Sequence, residues 1–170
     1  MKTSELCEGK AVECINRYIE DKISEIDKYA DVTEERDYPI EWEKVHISSC
    51  AKLGYIFAEQ RGVDPVLAAC AWAVHDYGRI ITGKQANHAE IGYEPVMEFL
   101  RKTELFTEEE VLELGLSVKN HSKKSEIGTP LEEIVKDADV VDFYQYGYEI
   151  PREEQRERLI KLQIVEKMDK

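Results

Sequence analysis

His75 and Asp76 stand side by side at the end of an almost wholly apolar run, Val66 to Val74. A carboxylate buried there is costly unless it is paired or coordinates a metal, and core packing asks for neither side chain. The chemistry this dyad points to is cation binding. The other histidines extend the set, because the chain has only four, His46, His75, His88 and His121. A later stretch, residues 130–142, is helix-patterned and offers Asp137, Asp139 and Asp142 as carboxylates. At about 100° per residue, Leu131, Val135, Ala138 and Asp142 form one stripe, Asp139 lies at its edge and Asp137 points well away. Asp139 is therefore the expected ligand, and whether Asp137 or Asp142 assists it stays open.

The elements that must position these groups read as helices throughout. Val12, Ile15, Ile19, Ile23 and Ile26 recur at spacings of three and four, predicting an amphipathic helix to about Tyr29, followed by a loop over 31–41. A second helix over about 42–60 carries His46, Cys50, Leu53 and Phe57 on one face, so His46 should point inward, and Gly62 should end it. Asp64 and Pro65 read as an N-cap and first helical residue, opening a central helix that is expected to stop near Gly78 with His75 and Asp76 in its last turn. Asn87 with Glu90, Thr107 with Glu110, and Thr129 with Glu132 have capping-box spacing. They put His88 in a first helical turn and His121 just beyond a helix over 108–120. A last helix over about 152–168 carries Leu159, Leu162 and Ile164 or Val165 amid charges that form a solvated face. The expected fold is all-α: one compact domain over 1–170 of about six to seven helices, with terminal helices packed on a motif core at about 42–145.

Composition narrows the function. A length of 170 residues with 42% hydrophobic content is enough for one sizeable core. The formal net charge of -13 argues against a nucleic-acid duplex as partner, since phosphate backbones are met by basic faces. A phosphate-bearing small molecule would have to be drawn in locally, by bound cations and a few placed lysines or arginines. Cys7, Cys14, Cys50 and Cys70 show no CxxC spacing, and no apolar N-terminal stretch suggests a signal peptide or membrane span, so a cytoplasmic protein is expected. Cys50 and Cys70, like Trp42 and Trp72, read as core residues.

Taken singly, His88 or His121 reads as a histidine at a helix end, which is common and favourable at C-termini. The ordered set carries the argument. His46, then His75-Asp76, then His88 and His121, then Ala138-Asp139 resembles the HD superfamily of metal-dependent phosphohydrolases over roughly residues 42–145. The resemblance implies that His46, His75, Asp76 and Asp139 bind a first metal ion. It also implies that His88 and His121 serve a second ion, with Asp76 bridging the two. Imidazole and carboxylate ligands without thiolate suit iron, manganese, cobalt, nickel or zinc.

The implied activity is hydrolysis of a phosphoester or phosphoanhydride in a small phosphorylated metabolite, a nucleotide or dinucleotide, by metal-activated water. Asp76 and Arg79 would carry catalysis, with Arg79, Lys84, Lys123 and Lys124 contacting the substrate phosphate. The stretch Asn120-His121 and Gly128-Thr129-Pro130 departs from the HD-GYP branch, which has paired histidines and a Gly-Tyr-Pro segment. The branch that hydrolyses symmetric dinucleoside tetraphosphates uses a similar histidine set on one small helical domain. Phe143, Tyr144, Tyr146 and Tyr148 could stack on a base, although such clusters are more often ordinary packing. Two other readings are a nucleotide-binding or regulatory module without catalysis and a di-iron oxygenase. A homodimer is compatible with each.

Overall fold

A computed structural model describes residues 36–165. Among them are seven helices and no strand: α1 (Ile40–Arg61), α2 (Pro65–Val74), α3 (Tyr77–Thr82), α4 (His88–Thr103), α5 (Glu108–Asn120), α6 (Pro130–Gln145) and α7 (Glu153–Lys161). The expected all-α architecture is what the chain adopts. The helix anticipated up to Tyr29, with Cys7 and Cys14, lies outside the described residues.

α2 is the axis of the fold. The Asp64 Oδ1 accepts the N–H groups of Val66 and Leu67 at 2.9 and 3.1 Å, and Pro65 occupies the first turn, where its missing donor costs nothing. The helix has no polar face, and every residue from Leu67 to Val74 is buried, with α1, α5 and α6 packed around it. Trp72 is fully enclosed against Gly54 of α1, where an added Cβ would fall 1.9 Å from the indole Cδ1. Cys50 and Cys70 are buried and form no disulfide, as their apolar settings predict.

The apolar run does not continue as one helix to Gly78. α2 stops at Val74 with His75 as its C-cap, and Asp76, at φ -95° and ψ 19°, turns the chain into the short α3. Two contacts account for the break. The His75 Nδ1 takes the carbonyl of Trp72 at 2.8 Å, and Gly78 lies so close to α4 that a Cβ there would meet the His88 carbonyl oxygen at 2.0 Å. Gly83, at φ 72°, ends α3, and the Arg36 guanidinium donates to the exposed carbonyls of Ile80 and Arg79, each at 3.0 Å.

The other helix ends agree with the sequence in part. α1 begins at Ile40, two residues before the expected start, and Gly62 caps it in the left-handed conformation at φ 68°. Thr107 and Glu110 form the reciprocal capping box. Thr129 accepts the N–H of Glu132 at 3.3 Å, while the Glu132 carboxylate faces Lys136. Asn87 makes no side-chain cap, because its backbone is itself left-handed at φ 57°. α7 is shorter than expected and ends at Lys161, with Gln163 at φ 60° turning the chain away. No helix among the described residues is long and apolar enough to cross a membrane.

Candidate metal centre

The break after α2 puts the dyad where four other helix ends and faces meet. α1 contributes His46, the α2–α3 junction His75 and Asp76, α4 His88, the end of α5 His121, and α6 Asp139 and Asp142. His46, His75 and Asp76 are at most 1% exposed, and His88 and His121 are buried beside them. All six ligand candidates therefore converge on one locus.

Their orientation matters more than their proximity. The Nδ1 atoms of His75, His88 and His121 lie 2.8, 2.6 and 2.6 Å from the carbonyl oxygens of Trp72, Gln85 and Val118. A carbonyl only accepts, so each Nδ1 carries the proton and each Nε2 presents a lone pair. The His46 Nδ1 is held the same way by the Asp142 carboxylate at 2.6 Å. Four lone pairs thus point inward, each imidazole fixed from behind.

They fall into two groups around Asp76. The Asp76 Oδ2 lies 2.9 Å from the His75 Nε2 and 3.3 Å from that of His46, which is itself 3.4 Å from the Asp139 Oδ1. The Asp76 Oδ1 lies 3.1 Å from the His88 Nε2 and 3.5 Å from that of His121. Within the pairs, Nε2 to Nε2 separations are 3.2 Å for His46–His75 and 2.8 Å for His88–His121. Two lone pairs at such distances repel unless a metal ion or a shared proton lies between them. Adjacent ligands about 2.1 Å from one ion stand roughly 3 Å apart, the spacing seen here. The Asp76 Oδ1 is also buried without a hydrogen-bond partner, an orphaned acceptor of the kind native structures seldom leave. The donor set fits divalent metal binding.

The surrounding charges hold both carboxylates ionised. With burial opposing them, Cys50 and the carboxylates around His46, and Asp76 beside His88, hold those two imidazoles above their ordinary range until a cation takes the proton's place. Burial works to raise the Asp76 carboxyl, but Arg79 and His75 outweigh it and hold it well below the usual carboxylate range. Asp139 is likewise held low, Lys124 and His46 overriding burial. Burial pushes His121 down to about 4, leaving a neutral imidazole. Cys50 lies beside His46, its Sγ 3.4 Å from Nδ1 and 3.9 Å from Nε2, and with His46 and His75 makes up a potential ligand group. Burial pushes its thiol up to about 12. It also sits nearer the nitrogen that faces Asp142, so it packs behind the centre as a core residue.

The basic residues are redistributed. Arg79 lines the cavity next to the centre with its guanidinium already bound: its Nε and NH2 bind the fully buried Glu43 carboxylate at 2.8 and 2.9 Å, NH2 also binds Asp76, and NH1 binds Gln85 at 2.9 Å. With every donor group engaged, the guanidinium buttresses Asp76. Lys124 is buried, its ammonium paired with Asp139 and bonded to the Lys136 carbonyl at 3.3 Å. Lys84 lies on the surface, away from the cavity next to the centre. Lys123 alone of the three lysines lines that cavity, which has a volume of about 620 Å³ and opens onto Asp76, His88, His121 and Asp139.

Glu43 escaped the sequence reading, though it precedes His46 by one helical turn and shares its face. Asp137, expected to point away, does so and binds Arg61 at 2.8 Å and Arg158 at 2.7 Å. Asp142 takes the supporting place that the stripe left open for it. Trp42 stacks on His46 with ring centroids 5.3 Å apart and planes at 19°, and Phe143 and Tyr148 close the same side. Of the aromatic stretch, Phe143 and Tyr148 line the cavity and Tyr144 and Tyr146 do not; all three tyrosines are exposed.

A helical domain with an His-Asp dyad at its centre is matched by the HD domain over residues 45–144. The chain belongs to the HD domain family. A solved structure, that of a predicted HD superfamily hydrolase from an uncultured Thermotogales bacterium, is similar over 96% of this chain and 94% of its own, with 19% identity and a TM-score of 0.57. At that identity the likeness speaks for the fold. No curated protein matches the chain.

Proposed function

We propose that this protein is a metal-dependent phosphohydrolase that cleaves a phosphoester or phosphoanhydride in a small phosphorylated metabolite, a nucleotide or dinucleotide. His46, His75, Asp76 and Asp139 would hold one divalent ion, and His88, His121 and the other oxygen of Asp76 a second. The observation that carries the reading is the inward convergence of four imidazole lone pairs on the two oxygens of one buried aspartate. When bound, such ions hold phosphoryl oxygens and acidify a water for attack on phosphorus.

The chain's own residues supply position. Arg79, locked by Glu43, fixes the Asp76 carboxylate, Lys124 fixes Asp139, and Asp142 fixes the His46 ring and keeps its proton on Nδ1. Positioning and electrostatics carry most of a phosphoryl transfer. The reading gains support from the cavity, whose volume of about 620 Å³ lies within the range of small-ligand sites. Tyr38, Phe143 and Tyr148 offer it apolar ring surface beside Asp139.

A phosphate-release screen over nucleotides and dinucleoside polyphosphates tests this, with iron, manganese, cobalt, nickel or zinc supplied in turn. The expected result is metal-dependent release from at least one substrate, abolished in Asp76→Ala. Metal-loaded protein that binds nucleotides and turns none over would overturn the hydrolase reading in favour of a binding module.

A further inference from the structure

The cavity beside the metal centre is lined by three further cations, in a chain whose net charge is -13. Lys119 and Lys123 flank the candidate ligand His121 by two residues on either side, and Arg152 lines the same cavity from the start of α7. Outside the metal centre, the acidic residues of the cavity are Glu90 and Glu149. Arg79 adds no free charge, being neutralised by Glu43 and Asp76.

These cations are weakly engaged. The Arg152 side chain is 46% exposed, its NH1 3.5 Å from the Ser122 carbonyl and 3.6 Å from Glu154, contacts that a phosphate oxygen would readily replace. Lys119 rests its ammonium over the Tyr93 ring at 4.7 Å. A second observation points to a ligand here. Gln155, one turn after Arg152, lines the same cavity with its amide oxygen buried and unpartnered. A side-chain amide offers either a donor or an acceptor, depending on its flip.

We infer that Lys119, Lys123, Arg152 and Gln155 form a second anion-binding subsite in the cavity beside the metal centre, so that the preferred substrate carries another phosphate besides the one cleaved. The inference rests on the proposed hydrolase reading for which phosphate is cleaved, and on these cations for the rest. It selects polyphosphorylated substrates over monophosphates. Arg152 and Lys123 act as specificity-determining residues, holding the distal phosphate so that the scissile one reaches Asp76.

The test is calorimetric titration of the full-length, metal-loaded protein with the bis-methylene analogue of tripolyphosphate, which cannot be hydrolysed, and with methylphosphonate. The expected result is at least tenfold tighter binding of the longer anion. Lys123→Ala with Arg152→Ala should remove most of that preference while leaving methylphosphonate affinity within twofold. Lys52→Ala, the loss of one positive charge at an exposed position, should change neither. Equal affinities for the two anions, or a loss in Lys52→Ala as large as in the double variant, would overturn the subsite. Failure of the hydrolase reading looks different: the analogue would bind through these cations while the wild type released no phosphate from any substrate.

Discussion

Each imidazole of the centre is gripped at Nδ1, and the grip differs in kind. Three are held by carbonyls, which a side-chain change cannot remove, and His46 by the Asp142 carboxylate. Asp142 is therefore the accessible test of how much ring orientation matters. Asp142→Asn should weaken metal binding by about 10- to 100-fold, the usual cost of losing such a supporting partner, while leaving the fold intact; competition against a chelator reads it. Unchanged affinity would place Asp142 in packing alone. The ligand residues were legible in the sequence because histidine is rare in this chain and all four fall near helix ends or on an inward face. Their supports were less so. Glu43 binds Arg79 across 36 residues, and Arg79 itself, one turn after Asp76, reads from sequence as a free cation. Only the tertiary placement of Glu43 turns it into a buttress.

Helix contacts decide how firmly these residues are held. α3 crosses α4 at Gly78, where a Cβ would meet the His88 carbonyl oxygen at 2.0 Å and the Gly92 nitrogen at 2.7 Å. Gly78→Ala must push α3 off α4 and move both Asp76 and His88; a loss of about 1–3 kcal/mol is expected, with weaker metal binding, measured by denaturant unfolding and metal titration. On the other side, Arg158 ties α7 to α6, binding Asp137 at 2.7 Å, Glu133 at 3.1 Å and the Lys124 carbonyl at 2.8 Å. Without it Asp137 keeps Arg61 and Glu133 keeps Lys136 and the Gly128 N–H, so Arg158→Ala should cost about 1–3 kcal/mol, read as a lower denaturation midpoint. The same staple has an acid limit. Burial favours the neutral Glu133, but the Gly128 N–H, Arg158 and Lys136 pull its carboxyl down to about 2. Its folded value lies below its ordinary one, so the stability it contributes is complete above about pH 4.5 and is lost as pH falls toward 2. The break at His75 was invisible in the sequence, because the helical apolar pattern continues through Tyr77, Ile80 and Ile81. The His75–Trp72 contact and the close crossing of α3 over α4 end α2, with no glycine or proline at the break.

At the scale of the molecule, the centre joins distant parts of the chain. His46 and Asp142 are 96 residues apart and meet at 2.6 Å, so α1 and α6 are locked by the same residues that present the ligands. Ions bound there and absent from the unfolded chain would stabilise the whole fold by mass action, by about 4 kcal/mol at a free concentration a thousandfold above Kd. Stripping the protein with a chelator should lower Tm by several degrees in scanning calorimetry, and re-adding the metal should restore it. A Tm indifferent to both would mean that no ion of consequence occupies the centre. The cations of the cavity come together because the start of α7 lies beside the end of α5, Arg152 next to Ser122. The all-α architecture was legible because helical periodicity repeats along the described chain, whereas the cavity is built from residues with no common sequence signal.

The most direct measurement is metal analysis of protein purified without chelator, alongside the Asp76→Ala variant. About two divalent transition-metal ions per chain are expected in the wild type, and their loss in a variant that stays folded. A wild-type protein that carries no metal and takes none up when supplied would rule out the metal centre.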